Sequence, residues 1–260
     1  MSAKVVVESS MVYIRRVLSV WWVTLAVGWA AAATAGPADD LVFAADRGDT
    51  AAVQALLAKG IEVNAKNNYG VTALMGASLN GHLDMVQALL AKGAKANAKT
   101  TGDGYTALMA ASLNGHLDVV QALLVKRAKV NAKTSNGATA LMLASLNGHF
   151  DVVQALLAEG AEVNAKNNQG WTALMAASSG GQSDVVQALL AKGAEVNAKT
   201  TDKGRTALIM ASQNGQSDVV QALLAKEAEV NTKASNGVTA LAVAKDAAVR
   251  ALLVQAGAKP

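Results

Sequence analysis

Gly115-His116-Leu117-Asp118-Val119-Val120-Gln121-Ala122-Leu123-Leu124 decides how this chain is read. The phrase also begins at Gly81, with Met85 for one Val, and at Gly148, with Phe150 for the Leu. It returns at Gly181 and Gly215 with Gln-Ser in place of His-Leu, and a blurred form runs from Gly48 to Leu57. Self-similarity at a period of about 33 residues marks a stack of supersecondary units, each too small to bury its apolar face alone.

Composition agrees with short, closely packed helices. The chain is 52% hydrophobic but only 3% aromatic, so its core is built from Ala, Val and Leu. It has no cysteine, which excludes a disulfide framework, thiolate metal sites, a cysteine nucleophile and a lipidated cysteine. The formal charge is +4. Residues 1–35 contribute Lys4, Arg15 and Arg16 against Glu8, so the remainder carries +2. A nearly neutral body argues against nucleic-acid binding.

Residues 1–35 stand apart. After Arg15-Arg16, residues 17–35 carry no charge and include Trp21, Trp22 and Trp29; Ala33-Thr34-Ala35 then supplies small residues before Gly36-Pro37 and Asp39-Asp40. Basic flank, apolar run and small-residue cleavage site are the order of a secretory signal. Met11 as the start would give a more ordinary basic region. The alternatives are an uncleaved anchor, since about 19 apolar residues nearly span a bilayer, and a non-exported apolar helix. The first two send the repeats out of the cytoplasm, to the periplasm or medium, or leave them tethered to the inner membrane.

Within a unit, Gly70-Val71-Thr72-Ala73-Leu74 places a turn glycine before a Thr expected to cap a short helix with its hydroxyl. Asn80-Gly81 ends that helix through positive φ. Asp84 lies in the first turn of a second helix, where its charge meets the positive end of the helix dipole. Met85, Val86, Leu89 and Leu90 give that helix a buried face. Leu123→Ala is expected to leave a cavity costing ~2–5 kcal/mol.

The composite Gly-x-Thr-Ala-Leu-Met-x-Ala-Ser-x-x-Gly-His-x-Asp-Val-Val-x-x-Leu-Leu-x-x-Gly-Ala-x-Val-Asn-Ala resembles the ankyrin repeat, over residues 39–260. The family's usual Thr-Pro-Leu-His reads Thr-Ala-Leu-Met at Thr72, Thr106, Thr139 and Thr172, and Thr-Ala-Leu-Ile at Thr206. This loses a preset φ and a hydrogen bond that family members use to brace the turn. The expected fold is all-α, an ankyrin-repeat solenoid of helix–turn–helix units with short β-hairpin-like fingers, preceded by an apolar N-terminal signal helix. Residues 1–35 are the signal peptide or anchor and 36–66 an N-terminal capping repeat. Residues 67–233 form five full repeats, and 234–260 a truncated C-terminal cap. At about 10 Å per unit the stack is on the order of 70 Å long.

A second period overlies the first. Thr72, Thr106 and Thr139 recur as Thr172, Thr206 and Thr239, each 100 residues later, and the helix-ending glycine is replaced by Arg127 and Glu227 at the same interval. A three-repeat block is duplicated. Arg127 and Glu227 are expected in left-handed backbone at ~1 kcal/mol each.

Nothing in the sequence calls for catalysis. There is no phosphate loop, His-Glu-x-x-His or Gly-x-Ser-x-Gly, and no cofactor is expected. His82, His116 and His149 occupy one position in successive units; rungs about 8–10 Å apart cannot converge on a metal at about 2 Å. Lys66, Lys99, Lys133, Lys166, Lys199 and Lys233 form a ladder at the finger bases, thickened by Lys95, Lys126, Arg127 and Lys129. It reads as a solvated face or as an anion-binding patch for an acidic protein or membrane surface.

The resemblance implies that residues beside the turn glycine and at the end of each first helix face a concave groove. From the fingers these are Tyr69, Val71, Asp103, Tyr105, Gln169, Trp171 and Arg205. From the first helices they are Leu79, Asn80, Leu113, Asn114, Leu146, Asn147 and Gln213. Tyr, Trp and Arg commonly dominate interface energies, and Leu79, Leu113 and Leu146 would add an apolar stripe. The expected activity is a non-catalytic scaffold for an unidentified protein partner outside the cytoplasm, acting as a monomer. An effector or envelope protein is the alternative, as is an anion-binding scaffold. No nucleic acid or small-molecule substrate is expected, and a membrane only through residues 17–35.

Overall fold

A computed structural model describes residues 36–259; the segment read as an export signal lies outside the described residues. The helices alternate between two rows. The inner row holds α1 (Pro37–Asp46), α3 (Ala73–Leu79), α5 (Ala107–Asn114), α7 (Ala140–Asn147), α9 (Ala173–Gly180), α11 (Ala207–Gln213) and the four-residue α13 (Ala240–Val243). The outer row holds α2 (Thr50–Ala58), α4 (Leu83–Ala91), α6 (Leu117–Val125), α8 (Phe150–Ala158), α10 (Ser183–Ala191), α12 (Ser217–Leu224) and α14 (Ala247–Gln255). Each inner helix packs on the next inner helix, and from α4 onward the outer helices do the same. Helices of seven to ten residues are not stable alone, so the stack supplies what each lacks.

The core is one continuous seam. Val86, Leu89, Val120, Leu123, Val153, Leu156, Val186, Leu189, Val220 and Leu223 on the outer helices are all at 0% exposure, at the 3- and 4-residue spacings read from the sequence. Ala77, Ala111, Ala144, Ala177 and Ala211 are equally buried on the inner row, where small side chains let the helices approach closely. No helix among the described residues is long and apolar enough to cross a membrane.

Helix ends follow the sequence punctuation with one exception. The hydroxyls of Thr106, Thr139, Thr172 and Thr206 accept from the amide three residues on, each at 3.3 Å, and that of Thr239 at 3.2 Å. Thr72, expected to do the same, does not. The Met75 amide donates instead to the Thr72 backbone carbonyl at 3.0 Å, leaving the buried hydroxyl without a partner. Gly115 has φ 77°, and a side chain there would also collide with the ring of His149. Arg127 and Glu227 sit at φ 58° and 61°, the left-handed backbone their register with Gly93 and Gly160 requires.

The fingers are tight turns, and no described residue lies in a strand, so β-hairpin-like overstates them. The Asn67 amide donates to the Val71 carbonyl (3.0 Å) and the Gly70 amide to the Asn67 carbonyl (2.8 Å). Successive fingers are tied tip to tip: the amides of Thr101, Ser135, Asn168, Thr201 and Ser235 donate to the carbonyls of Tyr69, Asp103, Asn136, Gln169 and Lys203 at 2.8–2.9 Å.

Candidate partner-binding surface

Every finger but the last begins with a side chain that sets its shape. Asn67 Oδ1 accepts from the amides of Tyr69 (3.0 Å) and Val71 (2.9 Å), and Asn167 Oδ1 accepts from Gln169 (3.0 Å) and Trp171 (2.9 Å). In the longer fingers Thr100 Oγ1 accepts from Tyr105 (2.9 Å) and Thr200 Oγ1 from Arg205 (3.1 Å); Thr134 Oγ1 accepts from Ala138 (2.9 Å). Asn67, Thr134, Asn167 and Thr200 are buried. The backbone under Val71, Tyr105, Trp171 and Arg205 is therefore held from within. Sequence reasoning missed these residues, although an Asn or Thr follows the Lys at the base of every finger but the last.

On this frame Tyr69 stands at a finger tip, 56% exposed. Asp103 and Gln169 are also exposed at tips. Val71, Tyr105 and Trp171 are half-buried and pack against the core, each keeping part of its surface outward. The Arg205 guanidinium donates from Nη2 to Oε1 of Gln213. Burial lowers its pKa from the ordinary value and Asp202 opposes the shift; an arginine stays charged throughout.

Two parts of the predicted surface change. Leu113 is buried, at 5% exposure, whereas Leu79 and Leu146 are half-buried, so the expected leucine stripe is interrupted. Within one unit Arg205 of the finger reaches Gln213 at the end of the following inner helix. The asparagines also serve the stack. Asn80 Nδ2 donates to Asp46 Oδ1 (2.8 Å), Asn114 Nδ2 to the Leu79 carbonyl (2.6 Å) and Asn147 Nδ2 to the Leu113 carbonyl (3.0 Å). Burial raises the Asp46 pKa, with the Asn80 hydrogen bond and His82 acting against it.

The histidines form a ladder. Nε2 of His82, His116 and His149 lies 2.9–3.0 Å from the carbonyls of Asp46, Leu79 and Leu113, which makes it the protonated nitrogen. Gln182 fills the same place against Leu146 at 3.4 Å. Among the described residues no group of three His, Asp or Glu could hold a metal ion.

A second ladder was not anticipated. Asn64, Asn97, Asn131, Asn164, Asn197 and Asn231 each donate from Nδ2 to a carbonyl of the next unit and accept at Oδ1 from an amide two residues further on. For Asn131 the partners are the Gly160 carbonyl (3.0 Å) and the Glu162 amide (2.9 Å). The recurring Asn after Val63, Val130, Val163, Val196 and Val230 was the available signal.

The family model described as ankyrin repeats (3 copies) matches residues 41–134, 124–200 and 197–260. The chain belongs to the ankyrin-repeat family. This ankyrin-repeat protein is also similar to the crystal structure of the human ASB11 ankyrin repeat domain, with a TM-score of 0.74 and 28% identity. The match covers 85% of this chain and 98% of that one. No curated protein matches the chain. Ankyrin repeats suggest a protein–protein interaction scaffold, and the fold is typically non-catalytic.

Proposed function

We propose that this ankyrin-repeat protein is a non-catalytic scaffold outside the cytoplasm that holds a protein partner across the fingers and inner helices of its second to fifth units. The observation that carries this is the fixed finger backbone beneath Tyr69, Tyr105 and Trp171. Large amphipathic side chains on a rigid frame bind with little ordering cost. The aromatic faces, with Val71, Leu79 and Leu146 between them, suit a partner segment bearing apolar side chains. Arg205 beside Gln213, in the adjoining sixth unit, gives the surface a polar end. Export rests on the order of basic, apolar and small residues in positions 15–35.

The test is capture of a purified partner by the wild-type chain and by Trp171→Ala/Tyr105→Ala. The double variant should lose it, since central aromatic truncations cost ~2 kcal/mol or more each. Capture left intact would refute the assignment. N-terminal sequencing of the exported product reads processing of residues 1–35 independently.

A further inference from the structure

The ends of the outer helices and the turns after them form one edge of the stack. In the second unit this edge carries Lys92, Lys95 and Lys99; in the third it carries Lys126, Arg127, Lys129 and Lys133. All seven are exposed, with no carboxylate among them. Such a cluster of like charge is self-repelling and does not favour the compact state.

The internal duplication supplies a comparison within the molecule. One hundred residues on stand Lys192, Glu195 and Lys199, then Lys226, Glu227, Glu229 and Lys233. Three cations have become carboxylates on an equivalent backbone. Arg127 and Glu227 share left-handed φ, 58° and 61°. The amides of Lys95 and Glu195 meet Asn64 and Asn164 at 2.7 and 2.8 Å, and those of Lys129 and Glu229 meet Asn97 and Asn197 at 2.7 and 2.8 Å. Folding therefore accepts either sign. In the second block Glu195 pairs with Lys166 at 3.2 Å; in the first, Lys95 stands at the Glu195 position and Lys66 donates to the Lys99 carbonyl at 2.8 Å instead.

Val125 is a second, independent feature of the same edge. It is 79% exposed and heads the exposed run Val125-Lys126-Arg127. The counterparts in other units are Ala58, Ala91, Ala158, Ala191 and Ala225, and Gln255 in the last. Val125 is more exposed than Tyr69 or Val254, the other large apolar side chains exposed among the described residues, and it projects from among this edge's cations.

We propose that this edge docks the protein on an anionic phospholipid surface, with the lysines and Arg127 among the headgroups and Val125 reaching toward the acyl boundary. A bilayer accepts a projecting apolar side chain and scattered cations together and demands no register. Nucleic acid has no apolar layer to receive Val125, and an acidic polypeptide would need a trough, where here residues 125–127 stand out in succession. The surface lies apart from the proposed partner-binding face, so each is tested separately.

The experiment is flotation of the full chain with neutral phosphatidylcholine vesicles and with vesicles containing phosphatidylglycerol. The ratio of the two bound fractions is read, which cancels any contribution of residues 17–35 shared by all variants. A cation near an anionic surface contributes roughly fivefold in partitioning, so Lys95→Glu/Arg127→Glu/Lys129→Glu should lower the ratio at least about tenfold. These residues already stand in the second block, so the variant folds, and it should keep the partner capture tested with Trp171. Glu195→Lys/Glu227→Arg/Glu229→Lys should raise the ratio, and Val125→Ala should weaken anionic-vesicle binding severalfold. An unchanged ratio in the first triple variant overturns the proposal. So does a wild-type ratio near one in a chain that binds polyglutamate or duplex DNA through the same residues.

Discussion

Replacing Asn131 by Ala removes two hydrogen bonds that staple the third unit to the fourth. Nδ2 loses the Gly160 carbonyl at 3.0 Å and Oδ1 loses the Glu162 amide at 2.9 Å. Gly160 and Glu162 are exposed, so water can take over both groups and the loss stays near the net value of a hydrogen bond, ~0.5–1.5 kcal/mol each. The two together give ~1–3 kcal/mol, or a melting shift of roughly 2–12 °C for a chain of this size. Asn131→Asp keeps the acceptor and loses the donor, so it should fall between. Gln121→Ala, exposed on the outer face of the same unit, is the control and should stay within about 0.5 kcal/mol. Urea unfolding reads the total, and hydrogen exchange at the Glu162 amide reads the staple itself. If Asn131→Ala matched Gln121→Ala in both, the ladder would not be holding the units together.

Leu123 is at 0% exposure in the middle of the outer-row seam; Leu123→Ala should cost ~2–5 kcal/mol in urea unfolding, and an unchanged midpoint would contradict its burial. Arg127→Gly and Glu227→Gly should each raise stability by up to ~1 kcal/mol, relief of left-handed strain outweighing glycine's greater unfolded entropy. A lower melting temperature in both would refute that. The Asp46 carboxyl has a raised pKa from burial, so between the unfolded and folded values the native state holds more proton and stability falls as pH rises. Asp46→Asn should flatten that slope in pH-dependent melting and be slightly more stable than wild type at neutral pH; an unaltered slope would contradict the reading.

Features repeating with the unit were legible in the sequence. The apolar spacing of Val119, Val120 and Leu123 located the seam, and the register of Arg127 and Glu227 with Gly93 located their left-handed backbone. The histidine register was legible too, one ring standing in each of three successive units. Contacts that join a side chain to distant backbone were not legible, because any residue offers the same carbonyl and amide. Asn131 recurs visibly, but its partners at Gly160 and Glu162 have no side-chain signature. Leu113 is buried where Leu79 and Leu146, at the same place in their units, are half-buried, so the unit average misplaced it among exposed leucines. Thr72 begins the same Thr-Ala-Leu-Met as Thr172 but lies between Val71 and Gly76 instead of Trp171 and Ala176, and its cap is replaced by a backbone bond at Met75 that the shared tetrapeptide does not reveal.

Photo-cross-linking from two positions tests the central claim most directly. A photoreactive residue at Trp171 lies on the finger-and-inner-helix face, and one at Gln121 on the outer row of the stack. One defined protein adduct from position 171, absent from position 121, is the predicted result. The same adducts from both positions, or from 121 alone, would contradict it.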